Sequence, residues 1–222
     1  MSNTASSVGA TRLRLTEIFF SLQGESTRVG LPTVFIRLTG CPLRCVWCDT
    51  TYSFTGGEWF TIDAILAETA RHGTRTVCVT GGEPLAQKAC LPLLTALCDA
   101  GYSVSLETSG ALDISAVDPR VSRIMDLKAP GSGEVARNLD TNIPLLRRDD
   151  EVKIVLTDET DYLWAREQIG KHALTERCTV LLSPVQGTLS PAQLAEWVLR
   201  DQLPVRMQVQ LHKVIWGNQP GR

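Results

Sequence analysis

The sequence predicts an α/β protein, a single open, partial parallel β/α barrel. Three observations predict it. Short β-branched and aromatic runs alternate with helical stretches along most of the chain, the pattern of βαβ units and a parallel sheet. The units are too few to close an eight-fold barrel. Polar and glycine residues interrupt the apolar runs at their carboxyl ends, where α/β barrels gather their active sites. With 222 residues, 43% of them hydrophobic, the chain can bury one sizeable core. Residues 11–222 are expected to form that domain, and residues 1–10, MSNTASSVGA, a disordered tail without the basic start and apolar stretch of a signal peptide. The 22 basic and 24 acidic side chains nearly cancel, so no nucleic-acid partner is expected. No apolar run approaches the ~20 residues of a membrane span, so no membrane is expected either. Seven cysteines, an odd number with three clustered, suit a reducing compartment, and a cytoplasmic location is expected.

Taken in order, RLRLTEIFF at 12–20 reads as a short strand or a lead-in to SLQGEST. TVFIRL at 33–38 is the first core strand. Arg37 lies inside it, and a bare buried charge is too costly, so its side chain must reach a partner or a wet cavity. It precedes Cys41 by four residues and is expected to point into the site. Thr61 caps a helix running to about Arg71, and Gly73 ends it. TVCVT at 76–80 is a second strand, followed directly by Gly81, Gly82, Glu83 and Pro84. A helix over 91–100 stops at Gly101. Strands follow at 103–107, leading into Thr108 and Ser109, and at 123–126, leading into Leu127 and Lys128. Residues 131–149 fit no period. EVKIVL at 151–156 is a strand, 160–169 a helix and TVLLS at 179–183 a strand. Ser190, Pro191 and Gln193 form the capping box of another helix. VRMQVQL at 205–211 alternates like a last strand.

The chemistry concentrates in residues 41–52, CPLRCVWCDTTY. Cys41, Cys45 and Cys48 are spaced C-x3-C-x2-C. Thiolates are soft ligands, which leaves zinc, copper and iron–sulfur. A structural zinc site wants four ligands, commonly two C-x2-C pairs, and no second pair exists; Cys78, Cys90, Cys98 and Cys178 are scattered singly. A four-iron cluster normally takes four cysteines, so three leave one iron open to a small ligand.

This spacing, with the aromatic Trp47 before the last cysteine, resembles the motif of the radical S-adenosylmethionine (SAM) superfamily. The resemblance implies a barrel of the radical SAM type, a [4Fe–4S] cluster on Cys41, Cys45 and Cys48, and S-adenosyl-L-methionine chelating the open iron. It assigns cofactor contacts to Trp47, Gly82, Glu83, Ser109, Asp126 and Lys128, with the glycines letting the backbone come close. Within the superfamily, SLQGEST, FIRLTGCPLRCVWCDT, VTGGEPLAQ and LETSG are similar to the 7-carboxy-7-deazaguanine synthase family. The chain departs from that pattern at Ser26, where glycine is common, and at Asp126-Leu127-Lys128, where some members carry Ser-Pro-Lys. The family resemblance implies ring contraction of 6-carboxy-5,6,7,8-tetrahydropterin to 7-carboxy-7-deazaguanine with loss of ammonia, in queuosine biosynthesis. It also implies substrate contacts at Leu22, Gln23, Gly24, Arg37 and Thr80, and Mg2+ at Thr50, whose alternative is a helix cap. An external flavodoxin-like one-electron donor and a homodimer are expected with it. The alternatives are a radical enzyme that activates another protein, and a zinc-stabilised or electron-carrying module. His212 follows the last strand, within reach of the site, and of the two positions the surface is the favoured one.

Overall fold

The computed structural model describes residues 10–217 and 219–221, so most of the tail expected at 1–10 lies outside the described residues. Strand β1 (Arg12–Leu22) runs antiparallel to β2 (Pro32–Leu38), pairing Phe19 with Phe35. A short β3 (Glu58–Thr61) lines the other side of β1. From β2 the sheet continues in parallel through β4 (Thr76–Gly81), β5 (Ser103–Thr108), β6 (Ser122–Asp126), β7 (Glu151–Leu156), β8 (Thr179–Pro184) and β9 (Arg206–Met207). The order is β3-β1-β2-β4-β5-β6-β7-β8-β9, one nine-stranded sheet that stays open. This is the expected partial barrel.

Alternation along the strands gives the sheet two faces. Val34, Ile36 and Leu38 of β2 are fully buried in the core, as are Val77 and Val79 of β4. Helices α1 (Ile62–Ala70), α2 (Cys90–Asp99), α3 (Glu159–Lys171), α4 (Leu174–Arg177) and α5 (Pro191–Arg200) supply the other half of that core. Ile62 and Ile65 of α1, and Leu93, Leu94 and Leu97 of α2, follow the three-to-four spacing that puts one helix stripe on a sheet. Tyr162 of α3 is wholly buried, and its hydroxyl donates to the Trp197 carbonyl at 2.8 Å, so its polar tip is satisfied. Thr61 caps α1 as expected, accepting from the Ala64 amide at 3.2 Å.

Two local expectations are corrected, and two stretches without an assignment gain one. Glu58–Thr61 is a strand that no sequence signal marked. The unassigned stretch 131–149 folds largely as 3-10 turns at Val135–Arg137 and Asp140–Leu145, held by Asn142, whose side chain bonds Ile114, Gly110 and Leu112. Ser190 stands at the start of α5, but its side chain makes no capping bond. The last strand is only Arg206–Met207; the chain then leaves the sheet and forms α6 (Leu211–Trp216). Two hydrogen bonds account for that departure: the Leu211 amide donates to the Gly24 carbonyl at 2.9 Å, and the Gln210 side chain donates to Glu25 at 2.6 Å.

Candidate active site

Strand register lays out the inner wall. In a parallel pair, residues in register share a face. Arg37 pairs with Thr80, Glu107 with Ile124, and Asp126 with Lys153. Polar groups at the carboxyl ends of five strands therefore stand in one row around a cavity of about 680 Å3.

The cysteine loop closes one end. Leaving β2, the chain passes Gly40, and the amides of Gly82 and Glu83 donate to the carbonyls of Leu38 and Gly40 at 3.3 and 2.9 Å. A Cβ on Gly82 would lie 2.4 Å from the Gly40 oxygen and 2.6 Å from Cys41 Cβ, so only glycine permits this approach of the two loops. The Arg44 guanidinium lies over the Phe54 ring at 4.3 Å and donates to the Cys41 carbonyl at 2.8 Å. The Val46 amide donates to the Ser132 carbonyl. Cys41, Cys45, Cys48 and Trp47 all line the cavity. Burial pushes the Cys41 and Cys45 thiols up, while nearby Lys128 pulls both down.

A lone zinc needs three or four donors within about 2.0–2.3 Å. Among the described residues no three His, Cys, Asp or Glu side chains converge in that way. A cubane binds each thiolate to a separate iron and so spreads its ligands apart. Three thiols around one cavity, without single-point convergence, fit a [4Fe–4S] cluster with one open iron.

Beyond the cysteines, Glu83 is fully buried. Its carboxylate accepts from the Ser109 amide at 2.6 Å, from Thr108 Oγ1 and from the Leu85 amide, so it braces the end of β4 against the end of β5. Gly81, Gly82 and Ser109 are left facing the cavity. Lys128 and Asp126 form an ion pair at 2.9 Å in the same wall.

At the other end Leu22, Gln23, Gly24, Arg37 and Thr80 all line the cavity. Gln23 Nε2 and Thr80 Oγ1 both donate to Glu107, at 3.3 and 2.9 Å. Arg37 donates through Nε to Glu17 at 2.7 Å and lies over Phe19 and Tyr52. Burial lowers the pKa of Arg37, but Tyr52 and Glu17 outweigh it, and the net shift is upward. Ser26, the departure from the family pattern, has a φ of 68°, the left-handed region in which glycine carries no steric cost. Thr50 faces the cavity and donates to Asp49 at 2.7 Å. It precedes the 3-10 turn Thr51–Ser53 without a side-chain capping bond, so capping is not its role.

Sequence reasoning missed several wall residues. Glu25 and Lys153 meet at 2.5 Å. Lys213 of α6 pairs with Asp49 at 2.6 Å; burial opposes the Asp49 charge, yet Lys213 brings its pKa down to about 2. His212, expected at the surface, lines the cavity and packs so tightly on Gly24 that a Cβ there would meet its Nδ1 at 2.0 Å. Lys153 carried a usable signal: like Arg37, it is a charge inside an apolar strand.

An open parallel barrel, a three-cysteine loop after its first parallel strand and a glycine pair after the next define a radical SAM enzyme. The Radical SAM superfamily model matches residues 35–131. The chain is 48% identical over 208 residues to the 7-carboxy-7-deazaguanine synthase of Chlorobaculum tepidum, covering 92% of this chain and 94% of that one. It is 42% identical over 219 residues to the 7-carboxy-7-deazaguanine synthase of Koribacter versatilis, covering 92% and 97%. The crystal structure of QueE from Escherichia coli superposes with a TM-score of 0.77 at 25% identity, covering 96% of this chain and all of that one. The chain belongs to the 7-carboxy-7-deazaguanine synthase family. Its cofactors are accordingly a [4Fe–4S] cluster and S-adenosyl-L-methionine. Among the described residues no helix is long and apolar enough to cross a membrane.

Proposed function

We propose that the protein contracts the ring of 6-carboxy-5,6,7,8-tetrahydropterin, yielding 7-carboxy-7-deazaguanine and ammonia, with the residues placed above in specific roles. The observation that carries this reading is a cavity of about 680 Å3 with the thiol loop at one end and, at the other, Arg37, whose Nε is held by Glu17 at 2.7 Å. When bound, the cluster and S-adenosyl-L-methionine supply a carbon-centred radical that can take hydrogen from C6 of the pterin.

Cys41, Cys45 and Cys48 hold the cluster. Gly82 admits the cofactor's amino-acid end to the backbone, with Trp47, Ser109, Asp126 and Lys128 around it; an acceptor beside a cation suits a zwitterion. Glu83 acts on the cofactor through the backbone it braces. Arg37 uses its Nη donors on the substrate carboxylate, a geometry that favours a fork. Gln23 and Thr80, oriented by Glu107, read the pterin edge, with Leu22 and Gly24 packing against the ring. Thr50 would offer an oxygen to Mg2+, a hard cation that would offset negative charge beside the substrate carboxylate. An external flavodoxin-like donor supplies the electron, and the enzyme works in the cytoplasm as a homodimer.

Anaerobic reconstitution with iron and sulfide, followed by product analysis on the carboxypterin, tests the reading. The expected result is a brown protein with about four irons per chain that forms 7-carboxy-7-deazaguanine and deoxyadenosine. A loaded protein that releases deoxyadenosine at one rate with or without the pterin, and makes no deazaguanine, would overturn it.

A further inference from the structure

Five side chains cross the cavity in one connected line. Gln210 Nε2 donates to Glu25 Oε1 at 2.6 Å, and Lys153 Nζ sits 2.5 Å from Glu25 Oε2. The same Nζ is 3.6 Å from Asp126 Oδ2, which pairs with Lys128 at 2.9 Å. Glu25 continues the loop of Gln23 and Gly24 at the substrate end. Asp126 and Lys128 stand at the cofactor end, close enough to Cys45 to affect its thiol. Lys153 therefore touches both ends, from the middle of β7, the rigid strand in register with Asp126. Its ammonium has three donors. One is taken by Glu25 at hydrogen-bond distance; Asp126 lies beyond that distance. Burial opposes the charge on Lys153, yet Glu25 and Asp126 outweigh it and hold its pKa well above the ordinary lysine value. Lys153 is a cation between the carboxylates of Glu25, on the loop after β1, and Asp126, the last residue of β6.

We propose that Lys153 is a positioning residue that sets the distance between the substrate and the cofactor: it pins the Gln23–Glu25 loop, and through Glu25 the Gln210 segment, to the Asp126–Lys128 pair. This rests on the functional reading above. Hydrogen transfer from carbon needs the reacting atoms held in a near-attack geometry, and a misplacement of about 1 Å can cost 100-fold. A loosened spacer predicts a particular defect. The cofactor would still be cleaved, but its radical, missing the pterin, would take a hydrogen atom from the external reductant or buffer, so deoxyadenosine would accumulate without product.

The test compares wild type with Lys153→Met and with Glu25→Gln/Lys153→Met, all reconstituted anaerobically. Iron content and visible absorbance report the cluster; 7-carboxy-7-deazaguanine formed per deoxyadenosine reports positioning. The double variant removes the unpaired carboxylate that Lys153→Met alone leaves buried, which guards against simple misfolding. Both variants are expected to load iron like wild type and to form at least tenfold less product per deoxyadenosine. A wild-type ratio in the double variant, or loss of product and deoxyadenosine in equal proportion with the cluster intact, would overturn the proposal. Absence of deazaguanine from wild type itself would instead strike at the functional reading.

Discussion

Strands β6 and β7 carry buried charge in two places, at their amino ends and on the cavity wall, and the two places are built differently. Before and at the amino ends lie Arg123 and Asp150, 4% and 1% exposed. Asp150 accepts from the Arg123 amide at 2.9 Å, from Arg123 Nε at 3.1 Å and Nη2, and from the Arg147 amide at 2.8 Å. Arg123 Nη2 also reaches the Leu145 carbonyl at 2.6 Å. Both carboxylate oxygens are occupied, and the pair ties three chain segments together. At the carboxyl end of β6 and in the middle of β7, Asp126 and Lys153 face the cavity with bonding capacity in hand. The same residue types serve structure where both carboxylate oxygens are held by neighbouring donors, and recognition where they face a void.

Asp150→Asn should break this contrast hardest on the structural side. Removing one charge of a buried pair costs about 3–5 kcal/mol, so urea unfolding should shift to markedly lower denaturant. The pH dependence has a defined sign. Burial pushes the Asp150 pKa up, but hydrogen bonds from Arg123 and Arg147 outweigh it and hold the group below the ordinary carboxylate value. Its stabilising contribution is full above the unfolded pKa of about 4 and is lost as pH falls through the folded value. The gap between Asp150→Asn and wild type should therefore close on acidification below about pH 4; a constant gap would contradict the ion-pair reading. Arg37→Ala tests the cavity wall. Losing a partner for a desolvated carboxylate costs about 2–5 kcal/mol, so kcat/KM on the pterin should drop steeply while iron content and urea midpoint hold near wild type. An equal loss of folding stability would place Arg37 with the structural charges.

Gly24→Ala sharpens the comparison more gently. The added Cβ overlaps His212, and overpacking of that kind costs about 1–3 kcal/mol, expected as a roughly tenfold rise in KM. In a His212→Ala background the same change should add little, the non-additivity of two residues in contact. Additive effects in that cycle would mean the two do not meet. Thr61→Ala should do least, about 1 kcal/mol of stability through the lost cap, with KM unchanged.

Much of the frame was legible in the sequence because its strands are β-branched runs buried on the sheet. TVFIRL, TVCVT and EVKIVL each appear close to where expected. Glu58–Thr61 escaped because it is four residues long with its first two exposed, and its partner β1 defines it more than its own composition does. Residues 205–211 alternate like a strand, yet only two of them pair, because Gln210 and Leu211 bond instead to the Gly24–Glu25 loop. Every residue expected at the site except Glu83 reaches the cavity wall; Glu83 sits behind it as a brace. What stayed hidden was the acidic and basic lining, Glu25, Asp49, Lys153 and Lys213. Single charges have no motif, and their roles come from strands and loops more than a hundred residues apart, as with Glu25 and Lys153.

The sheet's margins bear on self-association. Its two outermost members are β3, four residues, and β9, two residues. These short strands cover only Arg12–Leu15 of β1 and Leu181–Leu182 of β8, so the remaining length of each neighbour is an edge that an unclosed barrel must shield by other means against edge-to-edge polymerisation.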